Sequence, residues 1–309
     1  MRRTAAVVVS WEGGEATRRC VHSLLAQDRP PAEVIVVDNA SGEAERAALE
    51  WALRDLTRVR LLPLAENRQF AGGLNAGARA AFEEGAARVL LLNNDTVLEP
   101  EALRHLEDAM DAIPEAGIVG PCVRDLERRG ALLSCGERHA PSLLCFPRTL
   151  LRYRRTTTRP YRVSGVMGCA LLVSRACFEA VGGFAEEIGV YYEDVDFCLS
   201  AAAAGFAAVI EPRAIVWHQG MRGFARGLTP WAAYRKARNP WLVLRRHGGL
   251  VAWCTFVPTY SALIAASVAL WGVRGEREIV RGLCRGAWAG LTARQGNPAQ
   301  AVCAPRAGG

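Results

Sequence analysis

The sequence lacks any C-x-x-C pair, although it carries 10 Cys in 309 residues. Most of them, Cys20, Cys169 and Cys198 among them, sit inside apolar runs as small core residues do. The spacing therefore predicts neither a disulfide framework nor a structural zinc site. Aromatic residues make up only 7% and charged residues 22%, beside 30 Gly and 15 Pro. That composition excludes a disordered, collagen-like or low-complexity chain. Nor is there a signal-peptide pattern, since Met1-Arg2-Arg3 leads straight into Ala5–Ser10, which is too short for the apolar core. A mean hydropathy of +0.07 is too low for a polytopic membrane protein. No internal repeat is present. The expectation is a non-secreted protein of a reducing compartment, with material for one large or two ordinary domains.

Acidic residues are nearly missing from the C-terminal part. From Gly220 to Gly309, thirteen Lys and Arg face only Glu276 and Glu278, a net +11, so the +7 of the whole chain leaves −4 for Met1–Gln219. An acidic body with a basic tail predicts an anionic surface for the tail. The basic residues form no nucleic-acid motif and border an apolar segment, so nucleic acid is not the expected partner. Residues 250–272 carry no formal charge, and their length approaches that of a bilayer span. Positive charge stands on both flanks, however, with Arg245, Arg246 and His247 before and Arg274, Arg277, Arg281 and Arg285 after. That pattern fits a single crossing poorly, and Pro258 would kink the helix. A hydrophobic hairpin or helix lying in the cytoplasmic leaflet is expected, making the protein cytoplasmic and peripheral on the inner face of the membrane. A true span, or a helix pair that packs or forms a homodimer, are the alternatives. The expected division is a domain over residues 1–220 and a basic helical extension over 221–309.

What is present is an alternation of strands and helices. Ala5–Ser10, Glu33–Asp38, Val59–Leu62 and Arg88–Asn93 are apolar runs of strand length. Thr17–Ala26, Glu43–Leu53, Gly73–Phe82 and Pro100–Met110 carry helical spacing. Continuous apolar strands separated by helices predict an α/β fold with a mostly parallel sheet covered on both faces. In such sheets ligands gather at the carboxyl ends of the strands, where this sequence places Ser10, Asp38 and Asn93-Asn94-Asp95. After the strand Ile118–Pro121 the alternation fades, and Arg124–Pro160 reads as loops or a hairpin over the sheet. Order returns with Val163–Ser174, a short helix Arg175–Val181 ending at Gly182-Gly183, and a helix Glu193–Ala204. Two strand-like segments follow, Ala207–Ile210 and Ala214–Trp217.

Several segments suit chemistry as well as structure. Asp38-Asn39-Ala40-Ser41 follows a buried strand, where a carboxylate can accept hydrogen bonds from a nucleobase or ribose; the same residues serve equally as a cap or turn. In Glu66–Asn75 two glycines stand where a helix begins, open to a phosphate, though without G-x-G-x-x-G spacing. Asp95 is a lone carboxylate at a strand end, suited to Mg²⁺ or Mn²⁺ shared with substrate phosphates, or to a plain turn. Tyr191–Cys198, YYEDVDFC, sets three acids within four positions. They are costly unless they face solvent or a ligand, gain from a helix N-terminus, and by crowding raise one pKa as a general base requires. His218, after Trp217 at a strand end, is either structural or completes a metal site.

Seven of these segments occur in a family order. VVVSW at Val7–Trp11, VIVVDNAS at Val34–Ser41, ENRQFAGGLNAGARAA at Glu66–Ala81 and LLLNNDTVLEP at Leu90–Pro100 come first. GCALLVSRACFEAVGGF at Gly168–Phe184, YYEDVDFCL at Tyr191–Leu199 and AIVWH at Ala214–His218 continue the series. From about Ala5 to His247 the chain resembles family-two glycosyltransferases, and among them bacterial rhamnosyltransferases of polysaccharide assembly.

The resemblance implies a GT-A fold, a nucleotide-diphospho-sugar donor, a divalent cation (Mg²⁺ or Mn²⁺) and inversion at the anomeric carbon. It implies transfer of a sugar such as rhamnose to a glycan or polyprenyl-linked acceptor. Carried over by position, Asp38 holds the nucleoside, and Ser10, Asn67, Gly72, Gly73, Asn75, Asn93 and Asn94 complete the donor site. Asp95 and His218 hold the metal. Asp194 is the base, with Glu193 alongside. The sequence departs from the family pattern at Glu12, where Asn is common, at Gln69 (Gly), Leu74 (Asn), Asn93 (the first Asp of a D-x-D-type motif) and Ser200 (Arg). A sugar-nucleotide nucleotidyltransferase would want a Gly-rich loop bearing Lys or Arg after the first strand, whereas Trp11-Glu12-Gly13-Gly14-Glu15 is acidic. A catalytically inactive, basic, membrane-associated scaffold is the non-enzymatic alternative.

Overall fold

The first strands are apolar at successive positions because each of their faces enters a different core. In the computed structural model, which describes residues 2–128, 130–139, 148–149, 157–219 and 228–293, β1 (Thr4–Ser10), β2 (Glu33–Asp38), β3 (Val59–Pro63) and β4 (Arg88–Asn93) lie parallel in the order β3-β2-β1-β4. Alternate side chains point to opposite faces. Val7, Val9, Ile35, Val37 and Leu91 join a cluster with Ala71, Leu74 and Ala78 of α3 (Gln69–Glu83). Val8, Val34, Val36, Leu90 and Leu92 join a second cluster with α1 (Gly14–Leu25), α2 (Glu43–Leu53) and α4 (Ala102–Ala112). Burial of such side chains contributes roughly 1.5–3 kcal/mol each before chain entropy is counted.

The rest of the sheet is mixed. After β5 (Thr96–Leu98) comes β6 (Ala116–Asp125), which pairs parallel with β12 (Ala207–His218). Between β4 and β6 sits β11 (Ala170–Ser174), antiparallel to both. Its reversed direction brings the start of β11 to the sheet end where β1, β2 and β4 finish. The Asn93 N–H accordingly donates to the Cys169 carbonyl at 3.0 Å. β5 pairs with the end of β12, β7 (Leu132–Ser134) with β6, and β10 (Tyr161–Val163) with β12. β8 (Glu137–Arg138) and β9 (Arg148–Thr149) form a two-stranded ribbon. This is the GT-A sheet that the motif order implied. Helix α5 (Arg175–Val181) has the expected limits, with the Ser174 Oγ accepting the Cys177 N–H at 3.2 Å and Gly182 at φ +83°. Helix α6 spans Glu193–Ala203.

Four details differ from the sequence expectation. Helix α3 starts at Gln69 rather than Gly73, so the glycine pair lies inside its first turns. A Cβ at Gly73 would stand 2.7 Å from Val9 Cγ1, and one at Gly77 would overlap Val7 Cγ1, so these glycines let α3 lie close on β1. The two strand-like segments near 207–217 are one strand, continued through an irregularity between Glu211 and Ile215. Within Arg124–Pro160 the chain forms β7, β8 and β9, while 140–147 and 150–156 lie outside the described residues. Finally, where the sequence predicts no disulfide framework, Cys122 and Cys135 come side by side with their Cα atoms 4.4 Å apart. The β6–β7 pairing brings these two together, and no local pattern announces it.

The chain divides into two compact units, one from Met1–His139, Pro147–Gly189 and Glu193–Arg222, the other from Ala140–Phe146, Val190–Tyr192 and Gly223–Gly309. In the second unit α7 (Pro230–His247) is capped by the Thr229 Oγ1, which accepts the Ala232 N–H at 3.2 Å. Asn239 of α7 donates from Nδ2 to the carbonyls of Val190 and Tyr191 at 2.8 Å each. Helix α9 (Arg277–Thr292) packs on α7 through Gly282, Gly286 and Gly290, where any Cβ would press on α7 atoms. Helix α8 (Leu250–Val273) is different. Among the described residues it is the one helix long and apolar enough to cross a membrane, with mean hydropathy 1.6 and only 11% of that stretch buried. The basic residues Arg222, Arg226, Arg294 and Arg306 lie outside the described residues.

Candidate active site

Ser10 and Asp38 end adjacent strands in register, and both are buried. The Ser10 Oγ lies 2.8 Å from Thr17 Oγ1. Asp38 Oδ1 accepts the Ser41 N–H at 3.1 Å, while Oδ2 is buried with no hydrogen-bond partner. A buried carboxylate oxygen without a donor is costly, and the cost is relieved when a ligand brings a hydroxyl or N–H to it. Asn39, which the motif reading passed over, holds the next loop: its Nδ2 donates to the Gln69 carbonyl at 2.9 Å and its Oδ1 accepts the Arg68 N–H at 2.9 Å.

Several residues implied as donor contacts make hydrogen bonds within the scaffold. Asn67 Oδ1 accepts the Gln69 N–H at 2.8 Å and faces Asn39 Nδ2 at 3.2 Å. This turn puts Gln69 at φ +58°, the left-handed region that favours glycine. Asn75 is almost wholly buried. Its Nδ2 donates to the Phe184 carbonyl (2.9 Å) and Glu186 Oε1 (3.0 Å), and its Oδ1 accepts the Phe184 N–H (2.8 Å). With both amide hydrogens and the oxygen engaged, Asn75 anchors the segment after α5. At Gly72 a Cβ would meet Arg68 Cβ at 2.5 Å, so Gly72, like Gly73, has a packing reason to be glycine.

The turn between β4 and β5 carries the metal candidates. Asn94 Nδ2 donates to Thr17 Oγ1 at 3.2 Å, tying this turn to the loop after β1. The β5–β12 pairing sets His218 opposite Thr96, beside Asp95. His218 Nε2 is 3.2 Å from Asp95 Oδ1 and 3.3 Å from Asn93 Nδ2. One ring nitrogen cannot both accept from the amide and donate to the carboxylate. With Nε2 accepting from Asn93, Asp95 Oδ1 is left with no donor facing it, and Asn93 Oδ1 is likewise buried without a partner. The unpartnered carboxylate oxygen of Asp95 and amide oxygen of Asn93, with the His218 ring beside them, fit a divalent cation that would take the place of the Asn93–His218 contact. Among the described residues no cluster of three His, Cys, Asp or Glu is present, so the remaining ligands would come from water or substrate phosphate, as is usual for Mg²⁺.

Glu193 and Asp194 open α6, where the helix N-terminus favours negative charge. Asp194 Oδ2 accepts the Gly168 N–H at 2.8 Å, and Oδ1 accepts the Val195 N–H at 2.8 Å. Gly168, not foreseen, precedes β11, and a Cβ there would stand 3.0 Å from Asp194 Cβ. Burial pushes the Asp194 pKa above the usual carboxylate range, and the charge of Glu137 adds to this; the two N–H groups and His139 oppose it. Burial and the neighbouring Asp194 hold Glu193 well above its ordinary value. The Cys169 thiol is raised by burial first, then by Asp95 and Asp194, so both carboxylates bear on one interior point. A carboxylate of raised pKa suits a reaction that moves one proton.

The sequence matches the glycosyltransferase-like family 2 model over residues 2–243. It is 30% identical over 262 residues to an N-acetylglucosaminyl-diphospho-decaprenol L-rhamnosyltransferase of Mycobacterium tuberculosis, covering 78% of this chain and 84% of that one. It is 26% identical over 224 residues to the dTDP-rhamnosyl transferase RfbF of Shigella flexneri, covering 69% and 71%. Among solved structures, a mannosyltransferase of Pyrobaculum calidifontis in complex with GDP-Man and Mn²⁺ aligns with TM-score 0.56 at 19% identity over 94% of this chain and 87% of that one. GalNAc-T7 with UDP, GalNAc and Mn²⁺ aligns with TM-score 0.61 at 16% identity, over 84% of this chain and 55% of that one. The carboxyl-end site, the ordered motifs and these matches lead to one conclusion: the chain belongs to the family-two glycosyltransferases, with rhamnosyltransferases among its relatives.

Proposed function

We propose that this glycosyltransferase moves rhamnose from a nucleotide-diphospho-sugar to a hydroxyl of a lipid-linked glycan, inverting the anomeric carbon, with Asp194 as general base. The observation that carries the reading is Asp194 itself, oriented by two backbone N–H groups and kept, by burial, with a pKa suited to accepting a proton. The acceptor oxygen attacks the anomeric carbon as its proton passes to Asp194, and the bond to the diphosphate breaks with its electron pair leaving on that group. Asp38, with its open Oδ2, binds the nucleoside, and Ser10 and Asn94 line the way to the diphosphate. A divalent cation held by Asp95 with Asn93 and His218 would neutralise charge on the departing diphosphate. Rhamnose and the lipid-linked acceptor are suggested by the names of the two relatives.

The donor site is tested by melting the protein against UDP-, dTDP- and GDP-sugars with and without Mn²⁺. A ligand that binds only the folded state stabilises it, by about 2.7 kcal/mol at a hundredfold excess over Kd. A Mn²⁺-dependent rise with one nucleotide class is expected. A folded sample that responds to none would favour the inactive scaffold.

A lipid-linked acceptor would be met at a membrane surface, and α8 suits that location. Leu250, Val251 and Val273 are exposed, at 80%, 74% and 90%. At its two ends Arg245 lies 5.7 Å from the Trp253 ring and Arg274 lies 5.0 Å from the Trp271 ring. Arg–Trp pairs of this kind belong at headgroup level, which supports association of α8 with a bilayer. Flotation with anionic liposomes is expected; a protein that stays at the bottom of the gradient would rule this part out.

A further inference from the structure

The loop that holds the candidate base leads to two ionisable groups that the mechanism above does not use. Glu137 Oε2 is 3.0 Å from His139 Nε2, with the His139 side chain only 3% exposed. The Glu137 N–H donates to the Gly165 carbonyl at 2.9 Å, and the Gly165 N–H returns a bond to the Glu137 carbonyl at 3.1 Å. From Gly165 the chain reaches Gly168, whose N–H holds Asp194. Both ends of this four-residue strap are tight: a Cβ at Gly165 would overlap the His139 ring, and one at Gly168 would press on Asp194. His139, the strap and Asp194 thus form one packed layer.

We propose that Glu137 and His139 are positioning residues for the Asp194 carboxylate, acting on it across the Gly165–Gly168 strap through their opposed charges. The inference deepens the reading of Asp194 as base and rests on it for its functional meaning. Glu137 favours the protonated form of Asp194, and a protonated His139 favours the carboxylate. The other ionisable groups around Asp194 are Glu193 and Asp196 on α6 and the buried thiols of Cys169 and Cys198, both raised by burial. All four stay the same in the variants below, so a difference between variants comes from the pair. The pair would set the pH at which the base is ready.

The test reads Asp194 directly. Protein labelled with [13Cγ]Asp is titrated, and the carboxyl signal missing from Asp194→Asn identifies the residue. Glu137→Gln should lower the Asp194 midpoint by about one pH unit, and His139→Gln, which keeps an N–H for Glu137 but loses the charge, should raise it. The double variant should return toward the wild type. Midpoints that do not move, or that move in the same direction, would make the pair a packing element and overturn the proposal. If a single variant does not fold, the wild type alone decides: the Asp194 signal must show a second inflection where the 15N-labelled His139 ring titrates, and one inflection refutes the idea. Asp194→Asn with undiminished transfer would remove the base reading while leaving this titration result intact.

Discussion

Asp194→Asn is expected to lower sugar transfer by about 10²–10⁴-fold while leaving nucleotide-sugar binding in place. The substitution keeps the side chain's size and one oxygen for the Gly168 or Val195 N–H, so the start of α6 can retain its geometry. What disappears is the capacity to take up the acceptor's proton. The donor contacts proposed for Asp38, Ser10 and Asn94 sit on other elements and are untouched. Two readouts separate the effects: turnover with a radiolabelled sugar donor, and the donor-induced rise in melting temperature. Turnover equal to the wild type would sink the assignment of Asp194 whatever the melting data say.

Asp95→Ala should remove the Mn²⁺-dependent part of donor binding and cut transfer by about 10²–10³-fold. Its carboxylate is the one acid at the β4–β5 turn, and Asn93 and His218 alone offer a neutral site that binds a hard cation weakly. The turn itself should survive, because Thr96 Oγ1 donates to the Asn93 carbonyl at 2.8 Å and the Gln219 N–H donates to the backbone carbonyl of residue 95 at 3.0 Å. Neither bond uses the Asp95 side chain. In the donor melting series the variant should behave with Mn²⁺ as the wild type behaves without it. A full Mn²⁺ response in Asp95→Ala would mean that the cation is held elsewhere.

In the proposed reaction the two variants act on opposite ends of one displacement. One removes the proton acceptor on the nucleophile's side, the other the charge compensation on the leaving group's side. If both assignments are right, Asp95→Ala changes donor affinity and rate together, whereas Asp194→Asn changes rate alone.

Local pattern was enough for the elements whose signal is contained in a few residues. VVVS, EVIVVD and RVLLLN are strands because continuous apolar runs can be buried on both faces, and Ser174 with Gly182 marks α5 at both ends. The charge contrast between body and tail, and the acids at the start of α6, are likewise plain in the chain. The asparagines were not separable this way. Asn67 and Asn75 stand in a motif beside glycines, yet their amides hold neighbouring backbone, and which amide is engaged depends on groups as far away as Phe184.

By itself the sequence determined the strands, most of the helices and the set of polar residues at the strand ends, since periodicity and capping act over a turn or a strand. Only the tertiary structure decided which of those residues meet. The antiparallel entry of β11 brings Gly168 to Asp194, and the β5–β12 pairing joins Asn93 to His218 across 125 residues. The β6–β7 pairing brings Cys122 beside Cys135, and the Glu137–Gly165 bridge holds the start of the strap that ends at Gly168. Strand direction and register are set by the packing of the whole sheet, so no window of the chain contains them.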